Sequence, residues 1–131
     1  MEALEKLMDL AKHKQQIDIK RAEAKYMDPN WLLDSIRDEV EEVREEIKVD
    51  NKAHLEDELS DILWGWMILV EKLKDDKYVG SHEDIMKRAL KKYEERILPL
   101  NGDSYDHEIW AEVKARQKES LKKEQESAEN Y

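Results

Sequence analysis

Two acidic segments indicate which chemistry this chain could perform. Residues 38–47 read DEVEEVREEI, and residues 56–70 read EDELSDILWGWMILV, so the second acidic group adjoins the most apolar stretch. Carboxylates that lie close together repel one another, and burying one is costly unless a positive group neutralises it. The chain already carries a net charge of −10. A divalent cation bound by both segments would explain the pattern.

Helical geometry decides which of these carboxylates can converge. At 100° per residue, the second predicted helix has an inward apolar stripe, and so has the third; their members are Leu33, Ile36, Val40, Val43 and Ile47, and Leu55, Leu59, Ile62, Trp66, Leu69 and Leu73. Glu39, Glu42 and Glu46 lie along one flank of the stripe in the second helix. Glu58 and Asp61 share one flank of the stripe in the third predicted helix. If the short connection makes these two helices antiparallel, the two flanks can face each other. The pattern therefore predicts four carboxylates in one cluster, from Glu39, Glu42, Glu58 and Asp61.

The ligand types narrow the choice of metal. The chain has no cysteine, and its four histidines have no metal-like spacing, so we expect surface or capping positions for His13, His54, His82 and His107. Four oxygen ligands suit Mg²⁺ or Mn²⁺ better than Zn²⁺, and Mg²⁺ often takes substrate phosphates as further ligands. The alternative is a solvated acidic surface, as in most acidic runs. The position of Glu58 and Asp61 beside an apolar run favours the metal site.

The composition indicates helices to position these residues. The charged fraction is 43%, and two prolines, three glycines and no phenylalanine leave few signals for turns or strands. Apolar periodicity predicts helices over 2–26, 31–49, 52–74 and 82–98, and a last helix that contains Trp110 and ends near residue 118. The predicted fold class is all-α, an antiparallel bundle of four to five helices. We expect one domain over residues 1–118 and a polar, frayed tail over 119–131.

The same features exclude several classes of protein. The amphipathic N-terminus does not resemble a secretory signal, and the longest apolar stretch, residues 62–70, is about half the length of a membrane span. The acidic excess argues against a nucleic acid polymer as partner, because phosphate binding needs clustered basic residues. The lack of cysteine is compatible with a reducing compartment. We expect a cytoplasmic protein without membrane contact.

The two acidic motifs resemble those of a known family. The segments 38-DEVEE-42 and 58-ELSD-61 are similar to the E-E-x-x-E and E-x-x-D signatures of MazG-like, all-α nucleoside triphosphate pyrophosphohydrolases. The first glutamate of the family pattern is Asp38 here, which keeps the charge and shortens the reach. The flanking residues Trp31 to Leu33 and 61-DILWGWMIL-69 extend the likeness.

Further motifs lie towards the C-terminus. The segment 92-KYEER-96 resembles the family's K-x-x-x-R, and 110-WAEVK-114 resembles its W-E-E-I-K, so the resemblance covers about residues 31–118. The proline-histidine segment that follows K-x-x-x-R in the family is replaced here by 97-ILPL-100.

The resemblance implies a specific reaction. The family hydrolyses a nucleoside triphosphate to the monophosphate and pyrophosphate, with Mg²⁺ or Mn²⁺ activating a water molecule for attack on the α-phosphorus. The implied metal ligands are Glu39, Glu42, Glu58 and Asp61. The predicted catalytic residues are Glu39, Glu42 and Glu46, of which Glu46 is favoured as an outer base. The predicted substrate-binding residues are Lys92, Arg96, Trp110 and Lys114.

Several alternatives stay open at this point. An all-α dUTPase-like enzyme and a phosphoribosyl-ATP pyrophosphohydrolase share the same scaffold, whereas a non-enzymatic helical interaction protein would use its carboxylates only for solubility. Lys92 and Arg96 could instead pair with nearby glutamates on the surface. Trp110 could pack the last helix onto the bundle rather than stack on a base.

The third predicted helix suggests self-association. The segment 62-ILWGWMILV-70 is apolar nearly all round: Trp66 and Leu69 belong to the inward stripe, whereas Trp64 and Ile68 point to the other side. Leaving two such side chains exposed would create a sticky surface, and Gly65 would let a neighbouring helix approach closely. The sequence therefore predicts a homodimer or homotetramer, and the resemblance to dimeric and tetrameric MazG-like enzymes agrees with it.

Overall fold

The computed structural model describes residues 2–129, which form five α-helices, one short 3-10 helix and no strand. The bounds are α1 Glu2–Arg21, the 3-10 helix Ala24–Met27, α2 Pro29–Glu45, α3 Lys52–Asp75, α4 His82–Ile97 and α5 Asp106–Glu129. The prediction of an all-α fold is confirmed. None of the described helices is long and apolar enough to cross a membrane.

The described residues divide into two compact units, the first ending at His82 and the second beginning at Glu83. The division into a domain over 1–118 and a tail over 119–131 stays a prediction. The last helix does extend beyond the predicted end: α5 continues to Glu129, although its final turns are exposed and polar.

The first predicted helix is too long, because α1 ends at Arg21. Ala22 has a φ of 54°, a left-handed conformation that a helix cannot continue through. The chain then forms the 3-10 turn, in which the Tyr26 ring packs edge-on against Trp31 with centroids 5.0 Å apart. A tertiary aromatic contact thus replaces the last turn that periodicity alone predicts.

Side chains at its ends set the length of α2. The helix starts two residues earlier than predicted, because the Asp28 side chain accepts a hydrogen bond from the backbone N–H of Asn30 and Pro29 suits the first helical position. It ends at Glu45, before Asp50 turns the chain with a φ of 57°. Asn51 holds this turn by donating from Nδ2 to the carbonyl oxygen of Glu46 at 2.8 Å.

In the first unit, α1 and α2 both pack against α3. Ile36 of α2 approaches Gly65 of α3, whereas Glu42, further along α2, meets Glu58, which precedes Gly65. Later residues of α2 thus contact earlier residues of α3, so the two helices are antiparallel. Buried apolar side chains in this unit are Ala11, Leu32, Met67, Leu69 and Val70.

The predicted inward stripes are partly wrong. Leu33 and Val40 of α2 are 50% and 42% exposed, and Leu59 of α3 is 49% exposed. The buried position of α2 is Leu32, because the face that meets α3 is rotated from the centre of the apolar stripe. Each stripe is therefore wider than the contact that its helix makes in this chain.

Trp64 and Ile68 also differ from their expected positions. Trp64 lines an open groove together with Leu7, Leu10 and Ile17 of α1, and with Ile68 it lines a cavity between α2 and α3. Neither is a largely exposed apolar side chain, since α1 and α2 cover this side of α3. The exposed apolar residues of α2 and α3 include a different set, among them Leu33, Val40 and Leu59.

His82 is buried rather than at the surface, with 3% of the residue exposed. Its Nε2 lies 2.8 Å from the carbonyl oxygen of Met67, and its ring packs edge-on against Trp66. The Nδ1 atom lies 3.8 Å from a carboxylate oxygen of Glu71. This histidine is therefore part of the packing of α3 within the first unit.

In the second unit, long side chains join α4 to α5. Arg88 donates to Glu124 at 2.7 Å, and Arg96 donates from Nε to the amide oxygen of Gln117 at 2.8 Å. Arg88 precedes Arg96 along α4, whereas its partner Glu124 follows Gln117 along α5. These two helices are therefore also antiparallel. Val113 is the buried apolar residue of α5.

Gly65 allows the close approach of α2 and α3. A Cβ atom at this position would lie 2.8 Å from Cγ1 of Ile36. We expect Gly65→Leu to lower the free energy of unfolding by about 1–3 kcal/mol through overpacking. Chemical denaturation would measure the change, and Ala53→Leu at an exposed position of the same helix is the control.

The two contacting residues should also show coupling. In an Ile36→Ala background the opposing side chain is missing, so Gly65→Leu should cost clearly less stability than in the wild type. Equal losses in both backgrounds would show that this contact does not set the helix separation.

Candidate metal centre

Four carboxylates converge where α2 lies against α3. One ligand oxygen from each of the four residues lies within 4.8 Å of the others, and the residues are Glu39, Glu42, Glu58 and Asp61. They are the four residues that the sequence predicts as metal ligands.

The local fold explains this convergence. On each helix the two carboxylates are three residues apart, which places them on one face about one turn from each other. The antiparallel contact then turns these two faces together, and Gly65 brings the helix backbones close beside the cluster. Two local patterns and one tertiary contact are therefore enough to position all four groups.

The cluster is partly desolvated. Glu42 is exposed, whereas the other three residues are half-buried. The Oε2 atoms of Glu39 and Glu58 are buried and have no hydrogen-bond partner among the described residues. A buried carboxylate oxygen without a partner is destabilising, so these two atoms fit a site that binds a cation.

The electrostatics of the four carboxylates also fit a site that binds a cation. Burial raises the pKa of Glu39 from 4.5 to about 7, together with hydrogen bonding to Glu42 and repulsion from the neighbouring carboxylates. Burial and the same hydrogen bonding and repulsion also raise the pKa of Glu58. No basic residue contributes to either shift. The protein itself therefore does not neutralise the cluster, and a bound cation would.

Two nearby acidic residues do not join the cluster. Glu46 lies just beyond the end of α2, where its carboxylate accepts a hydrogen bond from Nδ2 of Asn51 at 2.6 Å. Its predicted role as outer base stays a prediction. Asp38, which replaces the first glutamate of the family pattern, is exposed on α2 and is not among the clustered residues.

A cavity of about 220 Å³ adjoins the cluster in the first unit. Glu39 and Asp61 form part of its wall, and Trp31, Trp64 and Ser35 line it as well. These three residues are functional candidates that the sequence-based prediction did not assign. The signal was weak, because a tryptophan in an apolar stretch usually indicates packing, and their proximity depends on how α2 meets α3.

The four predicted substrate-binding residues lie in the second unit. Lys92 and Lys114 are exposed, whereas Arg96 is 9% exposed. The Arg96 guanidinium lies over the Trp110 ring, 5.3 Å from its centroid. Within residues 2–129 no carboxylate forms an ion pair with Arg96, in contrast to the surface pairing considered as the alternative. Trp110 contacts α4 through Arg96. The substrate-binding roles of all four residues stay predictions.

The comparisons with known proteins give one match. A family model described as the MazG nucleotide pyrophosphohydrolase domain matches residues 27–97, which is more than half of the 131 residues. The match includes all four clustered carboxylates and the segment 92–96, and it ends before the segment 110–114. No curated protein and no solved structure shows significant similarity to the chain.

The raised pKa of Glu39 predicts how stability depends on pH without divalent cations. Between its ordinary pKa of 4.5 and its folded-state pKa of about 7, Glu39 binds more protons in the folded than in the unfolded state. The free energy of unfolding therefore falls as the pH rises through this window. Thermal denaturation in the presence of a chelator, from about pH 5 to about pH 8, would measure the decline.

Substitution and metal addition test the cause. Glu39→Gln removes the titrating group, so the melting temperature of this variant should decline less than that of the wild type over the same pH range. Mg²⁺ should stabilise the wild type more at about pH 8 than at about pH 6, because protons and the cation compete for the same oxygens. Identical pH profiles for the two proteins would contradict the assigned desolvation of Glu39.

Proposed function

The chain belongs to the MazG nucleotide pyrophosphohydrolase family and is therefore a hydrolase of phosphoric anhydrides; we propose that it cleaves nucleoside triphosphates to the monophosphate and pyrophosphate. The observation that carries the proposal is the convergence of four carboxylates, two of which have buried oxygens without a partner. Family membership also decides against a non-enzymatic interaction protein.

The donor set fits a divalent cation. All four groups are carboxylates, their ligand atoms lie within 4.8 Å of one another, and no basic side chain of residues 2–129 shifts the pKa of Glu39 or Glu58. We propose Mg²⁺, with Mn²⁺ as a substitute, because both ions prefer oxygen ligands and accept phosphate oxygens beside carboxylates. When bound, the ion neutralises charge on the phosphate chain and makes water more acidic.

The protein would supply the proton acceptor and the position of the substrate. Of the predicted catalytic residues, Glu39 and Glu42 lie in the cluster, so an oxygen of theirs can take the proton from the water that attacks the α-phosphorus. The bond between the α-phosphorus and the bridging oxygen then breaks, and pyrophosphate leaves. The hydrogen bond from Asn51 to Glu46 makes Glu46 the weaker candidate for this role.

The cavity beside the cluster supports a nucleoside end for the substrate. Its volume of about 220 Å³ is below the roughly 300–1,000 Å³ of pockets that enclose a whole drug-sized ligand. It would therefore hold part of a nucleotide, with the phosphates at the carboxylates. Trp31 and Trp64 in its wall offer aromatic faces to a base. Lys92, Arg96, Trp110 and Lys114 stay proposed contacts of the substrate.

We also propose a homodimer or homotetramer, on a surface that differs from the one predicted. Four exposed apolar side chains support it, and they are Leu33 and Val40 of α2 and Leu59 and Leu63 of α3. At 100° per residue, they lie on the side of the α2–α3 pair away from the cavity. A second copy presenting the same side would cover them and complete a bundle of four helices. A cytoplasmic location is part of the proposal, in keeping with the lack of cysteine.

Product analysis with purified protein tests the reaction. We expect nucleoside monophosphate and pyrophosphate from a panel of nucleoside triphosphates, with Mg²⁺ or Mn²⁺ required. Glu58→Gln removes an anionic ligand and should lower kcat by about 100-fold or more. Glu56→Gln, the same change two residues away on an exposed position of α3, should have little effect.

The outcomes separate the parts of the proposal. Nucleoside diphosphate and orthophosphate as products would contradict cleavage at the α-phosphorus. Turnover without a divalent cation, or near-normal turnover of Glu58→Gln, would contradict the assigned metal site.

The proposed interface predicts the mass of the protein in solution. Light scattering should give a multiple of the 15.7 kDa chain mass. Val40→Glu places a charge within the exposed apolar side of α2 and should shift the protein towards monomer. Val49→Glu makes the same change at a residue that is 90% exposed and outside α2, so it is the matched control. A monomeric wild type would contradict the proposal.

A further inference from the structure

Arg96 is a buried cation without an anionic partner. The residue is 9% exposed, and its Nε donates to the amide oxygen of Gln117 at 2.8 Å. A guanidinium has five N–H donors. No described residue accepts a hydrogen bond from its Nη1 or Nη2, and no described carboxylate forms an ion pair with it.

Two aromatic rings replace part of the lost hydration. The guanidinium carbon lies 5.3 Å from the centroid of Trp110 and 5.7 Å from that of Tyr93. Such cation–π contacts stabilise a charge modestly and fix the plane of the guanidinium, but they do not neutralise it. The Nη atoms are not among the buried atoms without a partner, so an anion at this edge would reach a guanidinium that is already oriented and little hydrated.

Gln117 determines which edge of Arg96 stays open. Its Nε2 donates to the carbonyl oxygen of Lys92 and to Oε1 of Glu95, both at 3.0 Å. These acceptors use both N–H groups of the amide, so the amide oxygen must face Nε of Arg96. The reversed amide would place two donors against each other. Gln117 thus holds Arg96 by the Nε edge and leaves the Nη edge free.

We propose that Gln117 is a positioning residue, which orients Arg96 so that its Nη edge binds an oxyanion of the phosphate class. The identity of this oxyanion rests on the proposed function. A planar guanidinium can donate two parallel hydrogen bonds to a phosphate, and this geometry requires a fixed orientation. Gln117 lies outside every motif of the sequence and outside the matched region, so it is assigned by its contacts alone.

Steady-state kinetics separate positioning from a purely structural role. Gln117→Leu removes the acceptor that holds Arg96 and should raise KM for the best nucleoside triphosphate about tenfold, with kcat within about twofold. Gln125→Leu makes the same change on the same helix, where the Gln125 amide contacts only the exposed Glu129, and should change neither constant. An unchanged KM for Gln117→Leu would overturn the proposal, as would a loss of kcat alone that follows a lower melting temperature.

A double substitution tests whether Gln117 acts through Arg96. In an Arg96→Lys background no guanidinium remains to be oriented, so Gln117→Leu should add less than about a twofold rise in KM. Persistence of the full tenfold effect in this background would show that Gln117 acts by another route.

Arg96 can also be observed without turnover. In a ¹H–¹⁵N spectrum, the Nε–H signal of Arg96 is assigned by its loss in Arg96→Lys and is followed during titration with inorganic pyrophosphate, without metal or nucleotide. The signal should shift saturably in the wild type and in Gln125→Leu, and the affinity should be at least about fivefold weaker in Gln117→Leu. No shift in the wild type overturns the proposal.

The binding measurement distinguishes the two proposals. A saturable shift in a protein that does not hydrolyse nucleoside triphosphates would reject the proposed function and leave Gln117 as the residue that orients an oxyanion site. Hydrolysis without a shift of the Arg96 signal would reject the positioning role and leave the proposed function in place.

Discussion

Repulsion among four carboxylates is the constraint on which the first unit depends. The contact between α2 and α3 must hold Glu39, Glu42, Glu58 and Asp61 within 4.8 Å of one another, although this arrangement raises the pKa of Glu39 to about 7. Apolar packing on the same two helices and the small volume of Gly65 supply the opposing stabilisation. The carboxylate cluster is thus a place where the fold gives up stability, which is typical of sites built for ligands.

The α2–α3 pair has two chemically different sides, and both follow from the same apolar stripes. On one side the stripes border the carboxylates and the cavity, whose wall includes Trp31 and Trp64. On the other side they extend past the contact and leave residues such as Val40 exposed. Because the stripes are wider than one helix contact, a single chain can form the cluster but leaves part of each stripe exposed.

Sequence periodicity predicted what depends on local spacing. The number of helices follows from the apolar periodicity, and the carboxylate pairs follow from i, i+3 spacing within α2 and α3. The antiparallel contact of these two helices follows from the short connection between them. The helix ends were less accurate, because side chains such as Asp28 and Asn51 decide them. Burial of His82 and the tryptophan-lined cavity depend on which faces meet in three dimensions. When a helix is apolar nearly all round, as α3 is, its periodicity does not show which face packs against which neighbouring helix.

Arg96 shows most clearly how tertiary context changes the meaning of a residue. The chain has 33 acidic residues, so an arginine on a charged helix would be expected to find a carboxylate. Instead, two aromatic rings and one amide surround Arg96, and none of them neutralises its charge. A nearby carboxylate would occupy the Nη edge and weaken any anion site there. The two rings and the amide fix the orientation of the guanidinium without occupying its Nη edge. Recognition of a phosphate group requires both a fixed orientation and an open edge.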